Sequence, residues 1–180
     1  VSVFEGTAEG FTVSYRAGMR GFSIPTWLGY PCVERNEYSD YSYTYDGTSI
    51  TIARYNGIGG NIVIPDTIDG KPVTVIGAGA FMDKVTISST LTLPSNLTTI
   101  EGSAFAGCSG FTGSLTIPEG VTSIGYSAFY NCSGFDGALT LPSTLTTIGP
   151  YTFYGCSGFS GSLTIPEGIT TIGNGAFGCS

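Results

Sequence analysis

The sequence predicts a mostly-β, α/β-type repeat solenoid, and three observations carry that reading. Phe81, Phe105, Phe129, Phe153 and Phe177 recur at a strict interval of 24 residues, as do Ile76, Ile100, Ile124, Ile148 and Ile172. Pro94, Pro118, Pro142 and Pro166 keep the same step. The 180 residues include 28 glycines, and only 11% are charged, a composition of short strands and tight turns rather than of a helical bundle or a disordered chain. A fixed period of this size is the signature of stacked repeats, each too small to bury its own core.

The elements follow in chain order. Residues 1–40 form a β-rich extension, with Phe11-Thr12-Val13-Ser14-Tyr15 alternating as a strand does. Phe22, Ile24, Trp27, Leu28 and Tyr30 are too apolar for a free linker; they either extend a cap or pack on another molecule. Residues 41–60 read as a hairpin cap. Tyr41 to Tyr45 and Thr48 to Tyr55 flank Asp46-Gly47, a dipeptide suited to a two-residue turn. Residues 61–180 then hold five repeat units. The first is irregular, with five extra residues around Ile68-Asp69-Gly70-Lys71-Pro72.

Within a unit, Leu115-Thr116-Ile117 alternates as a short strand with Thr outward, and Pro118 closes it. Val121 to Ile124 is a second short strand. Ser127 to Cys132 reads as one helical turn that drops Phe129 and Cys132 inward. Five such turns at strand spacing make a rod about 24 Å long. Phe81, Phe105, Phe129, Phe153 and Phe177 form a core ladder. Phe111, Phe135 and Phe159 form a second aromatic series, and Cys108, Cys132 and Cys156 a thiol series, with Cys179 one residue early.

The unit L-T-(I/L)-P-x-x-(V/L/I)-T-x-I-(G/E)-x-x-(A/T)-F-x-x-C resembles the BspA-like leucine-rich repeats. Leu115-Thr116-Ile117-Pro118, Val121 to Gly125 and Ala128-Phe129-Tyr130-Asn131-Cys132 carry the match, which covers residues 61–180. The unit departs from the family in length, the Ser-Gly-Phe-x-Gly stretch holding the extra residue. The resemblance implies a right-handed leucine-rich-repeat solenoid with short strands, one helical turn per unit and an N-terminal β cap. It also implies an extracellular, secreted or cell-surface protein that binds or adheres to a protein or glycan.

Composition narrows the chemistry. The net charge is −7, and Lys84 is the last base, so residues 85–180 contain no Lys or Arg. That argues against nucleic acid and anionic membrane surfaces as partners. No apolar run reaches the length of a membrane span. There is no His, which removes the Ser-His-Asp and Cys-His arrangements and the commonest metal ligand. The acids show no paired spacing, and no phosphate- or dinucleotide-binding fingerprint is present, so no catalytic residue, cofactor or metal is expected. The cysteine spacings rule out a zinc site. A disulfide between neighbouring rungs is conceivable, but buried free thiols that fill the core are the better reading. The chain opens at Val1 without an initiator Met and reads as a processed or excised form.

Three surface features remain. Tyr126, Tyr130, Tyr151 and Tyr154 fall on the helical-turn edge of two adjacent units and form a candidate partner surface, weighed against ordinary surface packing. Thr92, Thr116, Thr140 and Thr164 form one outward column, and Thr98, Thr122, Thr146 and Thr170 another. They suit ice or polysaccharide binding, or simply reflect the strand preference of Thr. Asn96-Leu97-Thr98 and Asn131-Cys132-Ser133 are acceptor sequons for N-glycosylation. The leading expectation is a non-enzymatic binding module. The alternative is a filament protomer joined head to tail through the solenoid ends, since the sequence stops mid-unit at Ser180.

Overall fold

The computed structural model describes residues 40–57, 59–85 and 88–179, and only the backbone of 13–16, 26–27 and 30–35. The chain divides into two compact units, 1–40 and 41–180. In the first, β1 (Val13–Arg16), β2 (Thr26–Trp27) and β3 (Tyr30–Arg35) make a three-stranded sheet, β1 parallel and β2 antiparallel to β3. The side chains of Phe11, Phe22, Ile24, Trp27, Leu28, Tyr30 and Cys32 lie outside the described residues, as do any contacts they make.

The second unit is a mostly-β solenoid. It opens with a hairpin of β4 (Tyr41–Tyr45) and β5 (Ile50–Tyr55). Then come β6 (Ile62–Val63), β7 (Thr67–Ile68), β8 (Lys71–Ile76) and β9 (Leu91–Thr92). The regular rungs follow with β10 (Thr99–Ile100), β11 (Leu115–Thr116), β12 (Ser123–Ile124), β13 (Leu139–Thr140), β14 (Thr147–Ile148) and β15 (Thr171–Ile172). The main sheet runs β15-β14-β12-β10-β8-β5-β4. Its rung-to-rung pairs are parallel and in register, Ile100 opposite Ile124 and Ile124 opposite Ile148, because the 24-residue period brings equivalent residues level.

The core is the predicted ladder. Phe81, Phe105, Phe129 and Phe153 are fully buried. Their rings stack at 4.8, 5.0 and 5.5 Å between centroids, inside the range favourable for aromatic pairs. Phe177 continues the stack at 5.4 Å. Phe111, Phe135 and Phe159 form the second column, each 5.4 Å from the next. Tyr55 heads the first ladder, stacked 5.0 Å above Phe81. The sequence pattern misses it, because Tyr55 stands 26 residues before Phe81 instead of 24.

Three local expectations are corrected. First, the segment from Ser127 to Cys132 is not a helical turn, and no helix occurs among the described residues. Alternate N–H groups leave the segment. Ala128 and Tyr130 bond three residues back, to Gly125 and Ser127. Ser127, Phe129 and Asn131 bond to the carbonyls of Pro150, Thr152 and Tyr154 on the next rung. Left-handed residues four apart, Ser127 (φ 52°) and Asn131 (φ 56°), prevent a continuous helix, and the same pair of positions is left-handed on every rung. Axial bonding between rungs therefore replaces the i to i−4 ladder.

Second, the tight two-residue turn is Asp69-Gly70, not Asp46-Gly47. The five extra residues fold as a hairpin in which Thr67 faces Pro72 and Ile68 faces Lys71. Asp69 (φ 50°) and Gly70 (φ 71°) are both left-handed, as such a turn requires. Third, the β4–β5 loop centres on Gly47-Thr48, so β5 begins at Ile50 rather than Thr48. Asp46 stays in the ordinary region because its carboxylate accepts the N–H groups of Thr48 and Ser49, both at 2.8 Å. These bonds lower its pKa to about 2, the Ser49 N–H contributing most.

Candidate functional site

The tyrosine edge is built by the turn segments of adjacent rungs. Tyr130 and Tyr154 are level and stack at 5.3 Å with planes 7° apart. Tyr151 meets Tyr154 edge-on at 5.8 Å. Tyr126 makes no ring contact with these three, so the four predicted residues divide into a trio and a neighbour. Tyr126 and Tyr151 are the exposed members, at 63% and 42%.

Glycines seat these rings. A Cβ on Gly102 would lie 2.6 Å from Cε1 of Tyr126, and one on Gly175 would lie 2.8 Å from Cδ1 of Tyr151. A Cβ on Gly178 would lie 2.7 Å from Cδ2 of Tyr154. Each ring thus rests on the bare backbone of an adjacent rung. The absence of a side chain there lets a large aromatic lie against the surface while staying accessible. The Cys179 sulfur and the Tyr154 hydroxyl are hydrogen-bonded at 3.6 Å, and this bond is the largest cause of the raised pKa of that hydroxyl.

The threonine columns behave differently from each other. Thr92, Thr116, Thr140 and Thr164 are exposed, with Val63 level with Thr92 at the head. Their ladder is interrupted: β6 pairs with β9 and β11 with β13, and residue 164 lies outside any strand. The second column is continuous through main-chain bonds, but three of its four hydroxyl protons are spent. Thr98, Thr146 and Thr170 donate to the carbonyls of Thr74, Thr122 and Thr146 at 3.1, 3.3 and 3.2 Å.

Asn96 and Asn131 are both exposed. Asn96 donates its amide to the Asp66 carbonyl at 3.2 Å, and the Asn131 side chain lies over Gly155. The thiols of Cys108, Cys132 and Cys156 are buried and free, as expected. Each donates to a main-chain carbonyl one rung back, of Phe81, Phe105 and Phe129 respectively. Burial pushes Cys108 up to about 11 and Cys156 to about 12, and raises Cys132 well above the ordinary value. Cys179 is exposed; its one-residue offset puts it at the left-handed position rather than in the core column.

Three acids of the solenoid serve the backbone. Glu101 accepts the Ala78 N–H at 2.9 Å, Asp136 that of Gly113 at 2.7 Å, and Glu119 that of Ser143 at 3.0 Å. Among the described residues no group of His, Cys, Asp or Glu could hold a metal ion, and no helix is long and apolar enough to cross a membrane. The exposed surface of the later rungs includes aromatic rings, hydroxyls, aliphatic side chains and isolated carboxylates.

Short in-register strands, a stacked Phe core and irregular return segments define a leucine-rich-repeat solenoid. The chain belongs to the BspA type leucine rich repeat family, whose profile matches residues 74–180 in six copies. It is similar to a leucine rich repeat protein from T. pallidum, with 31% identity and a TM-score of 0.71 over 81% of this chain and 68% of that one. It shares its fold with a leucine rich cell surface protein from Faecalibacterium prausnitzii, at 23% identity and a TM-score of 0.50, covering 77% of this chain and 50% of that one. A leucine-rich repeat protein from Bacteroides capillosus shares it too, at 21% identity and a TM-score of 0.51, covering 75% of this chain and 94% of that one. No curated protein matches the chain.

Proposed function

We propose that this chain is a non-enzymatic binding module, secreted or held at a bacterial cell surface, that meets a protein or glycan through its tyrosine edge. The observation that carries the reading is the seating of Tyr126 and Tyr151 on glycines of adjacent rungs. An aromatic that is exposed yet already ordered offers contact area at little entropic cost on binding. The surroundings support recognition by area and hydrogen bonds rather than by ion pairs, because residues 85–180 hold no Lys or Arg. The cell-surface setting draws on the Faecalibacterium prausnitzii protein of like fold.

The test is a double variant, Tyr126→Ser with Tyr151→Ser, compared with the parent chain for retention on immobilised extracellular-matrix proteins and neutral polysaccharides. Both side chains are exposed, so the melting temperature is expected to hold while retention on the recognised surface falls at least tenfold. Equal retention by parent and variant on every surface that retains the parent would overturn the tyrosine edge as the site.

A further inference from the structure

Tyr126 and Tyr151 stand out from the surface around them. Among the described residues from 88 to 162 they are the only large apolar side chains left exposed. Their surroundings are small or polar: Gly102 and Ser103 on the rung before Tyr126, Ser127 beside it, Asn174 and Gly175 on the rung after Tyr151.

A protein interface is made differently. Its centre is continuous apolar area, and its aromatic anchors fill packed, desolvated pockets. Here two rings lie on bare backbone, with no exposed Leu, Ile, Val or Met between them. Three atoms of the Tyr126 ring crowd the point where a Gly102 Cβ would stand, Cε1 at 2.6 Å, Cδ1 at 2.9 Å and Cζ at 3.3 Å. The ring therefore rests on the Gly102 backbone, and at 63% exposure its outer side is open to solvent. The negative π face of such a ring attracts polarised C–H groups.

A pyranose has the complementary form, with C–H groups on its faces and hydroxyls around its rim. The rim hydroxyls would meet the Tyr151 hydroxyl and the Asn174 amide, which lie 3.5 Å apart. Charge narrows the choice of sugar. Residues 85–180 hold no Lys or Arg to pair with uronate or sulfate groups. Glu101, which immediately precedes Gly102, is exposed and repels them.

Spacing sets the length of the ligand. Tyr126 leans back onto Gly102, and Tyr151 leans forward onto Gly175. Those glycines are three rungs apart, about 14 Å at strand spacing. One ligand covers both rings only as an extended chain along the solenoid axis.

We infer that the tyrosine edge is a platform for a neutral, linear polysaccharide, with one sugar face on Tyr126 and a later sugar of the same chain on Tyr151. This assignment rests on the tyrosine edge being the binding site, and it selects the glycan over the protein as its partner.

The experiment is native electrophoresis of the full chain through gels containing dextran, mannan or a mixed-linkage β-glucan, with heparin as the anionic counterpart. At least one neutral polymer is expected to retard the chain, at low and high salt alike, and heparin is not. Tyr126→Leu should weaken that retardation at least tenfold at an unchanged melting temperature, and Tyr126→Phe, which keeps the ring, should restore it. Retardation by none of the neutral polymers, stronger retardation by heparin, or a Tyr126→Leu chain retarded like the parent would each overturn the assignment. The tyrosine edge itself would survive those results if matrix proteins retain the parent chain and release the Tyr126→Ser, Tyr151→Ser chain. It falls only when that chain matches the parent on every surface.

Discussion

The Cys132 thiol donates to the Phe105 carbonyl at 3.1 Å, one rung back in the core. The same bond recurs at Cys108 and Cys156, so the thiol column is both packing and hydrogen-bonding material. Native labelling should show it. In a chain carrying Cys32→Ser, a water-soluble disulfide reagent is expected to modify Cys179 rapidly. Cys108, Cys132 and Cys156 should react only on unfolding. Fast modification of four thiols would contradict the buried column.

The raised thiol pKa values make stability fall at high pH. Below 9.0, the ordinary thiol value, folded and unfolded chains both keep these protons. Above it the unfolded chain releases them first, while folded Cys108 and Cys156 hold theirs to about 11 and 12. The unfolded state then binds fewer protons, so stability declines with pH through that window. Urea midpoints measured from pH 8 to 11 should fall, and a triple Cys108→Ala, Cys132→Ala, Cys156→Ala chain, if folded, should show a shallower fall.

Phe129 is stacked between Phe105 and Phe153, at 5.0 and 5.5 Å, and is fully buried. Phe129→Ala removes two ring contacts and leaves a cavity that neighbouring rungs cannot close. A loss of about 3–5 kcal/mol is expected by urea denaturation. A midpoint unchanged within error would mean that the ladder is not the core.

Gly125 marks where the rungs come closest. A Cβ there would lie 2.6 Å from the Gly102 nitrogen and 2.8 Å from the Glu101 carbonyl carbon, and both are backbone atoms of a hydrogen-bonded rung. Gly125→Ala should cost about 1–3 kcal/mol through forced separation of the rungs. Gly113→Ala makes the contrast: its Cβ meets nothing within 4 Å, so its cost comes only from a left-handed φ of 79°.

Much of this architecture is legible in the chain itself. The spacing of Phe81, Phe105, Phe129, Phe153 and Phe177 implies a ladder whatever the route between rungs, because a side chain at one phase of a stacked repeat faces its equivalents. The outward direction of Thr92, Thr116 and Thr140 follows from strand alternation. The tyrosine edge is readable as a location, from Tyr126, Tyr130, Tyr151 and Tyr154 beside the Phe positions. Its division into a stacked pair with Tyr151 edge-on and a separate Tyr126, and its glycine seats, are not. Gly102 and Gly175 read as turn residues until the rings of neighbouring rungs are laid on them.

The sequence by itself determined the period, the inward columns and the family. Only the tertiary structure decided where the hydrogen bonds go. Both Asp46-Gly47 and Asp69-Gly70 satisfy the same local rule, yet only Asp69-Gly70 adopts the tight turn. The Ser127 to Cys132 segment has the spacing of a helical turn, yet its alternate N–H groups cross to Pro150, Thr152 and Tyr154. Local spacing sets the face a side chain points to. The partner of each N–H is chosen among all carbonyls within reach, and in a solenoid the nearest competitor sits one rung away, at about 4.8 Å, and 24 residues along the chain.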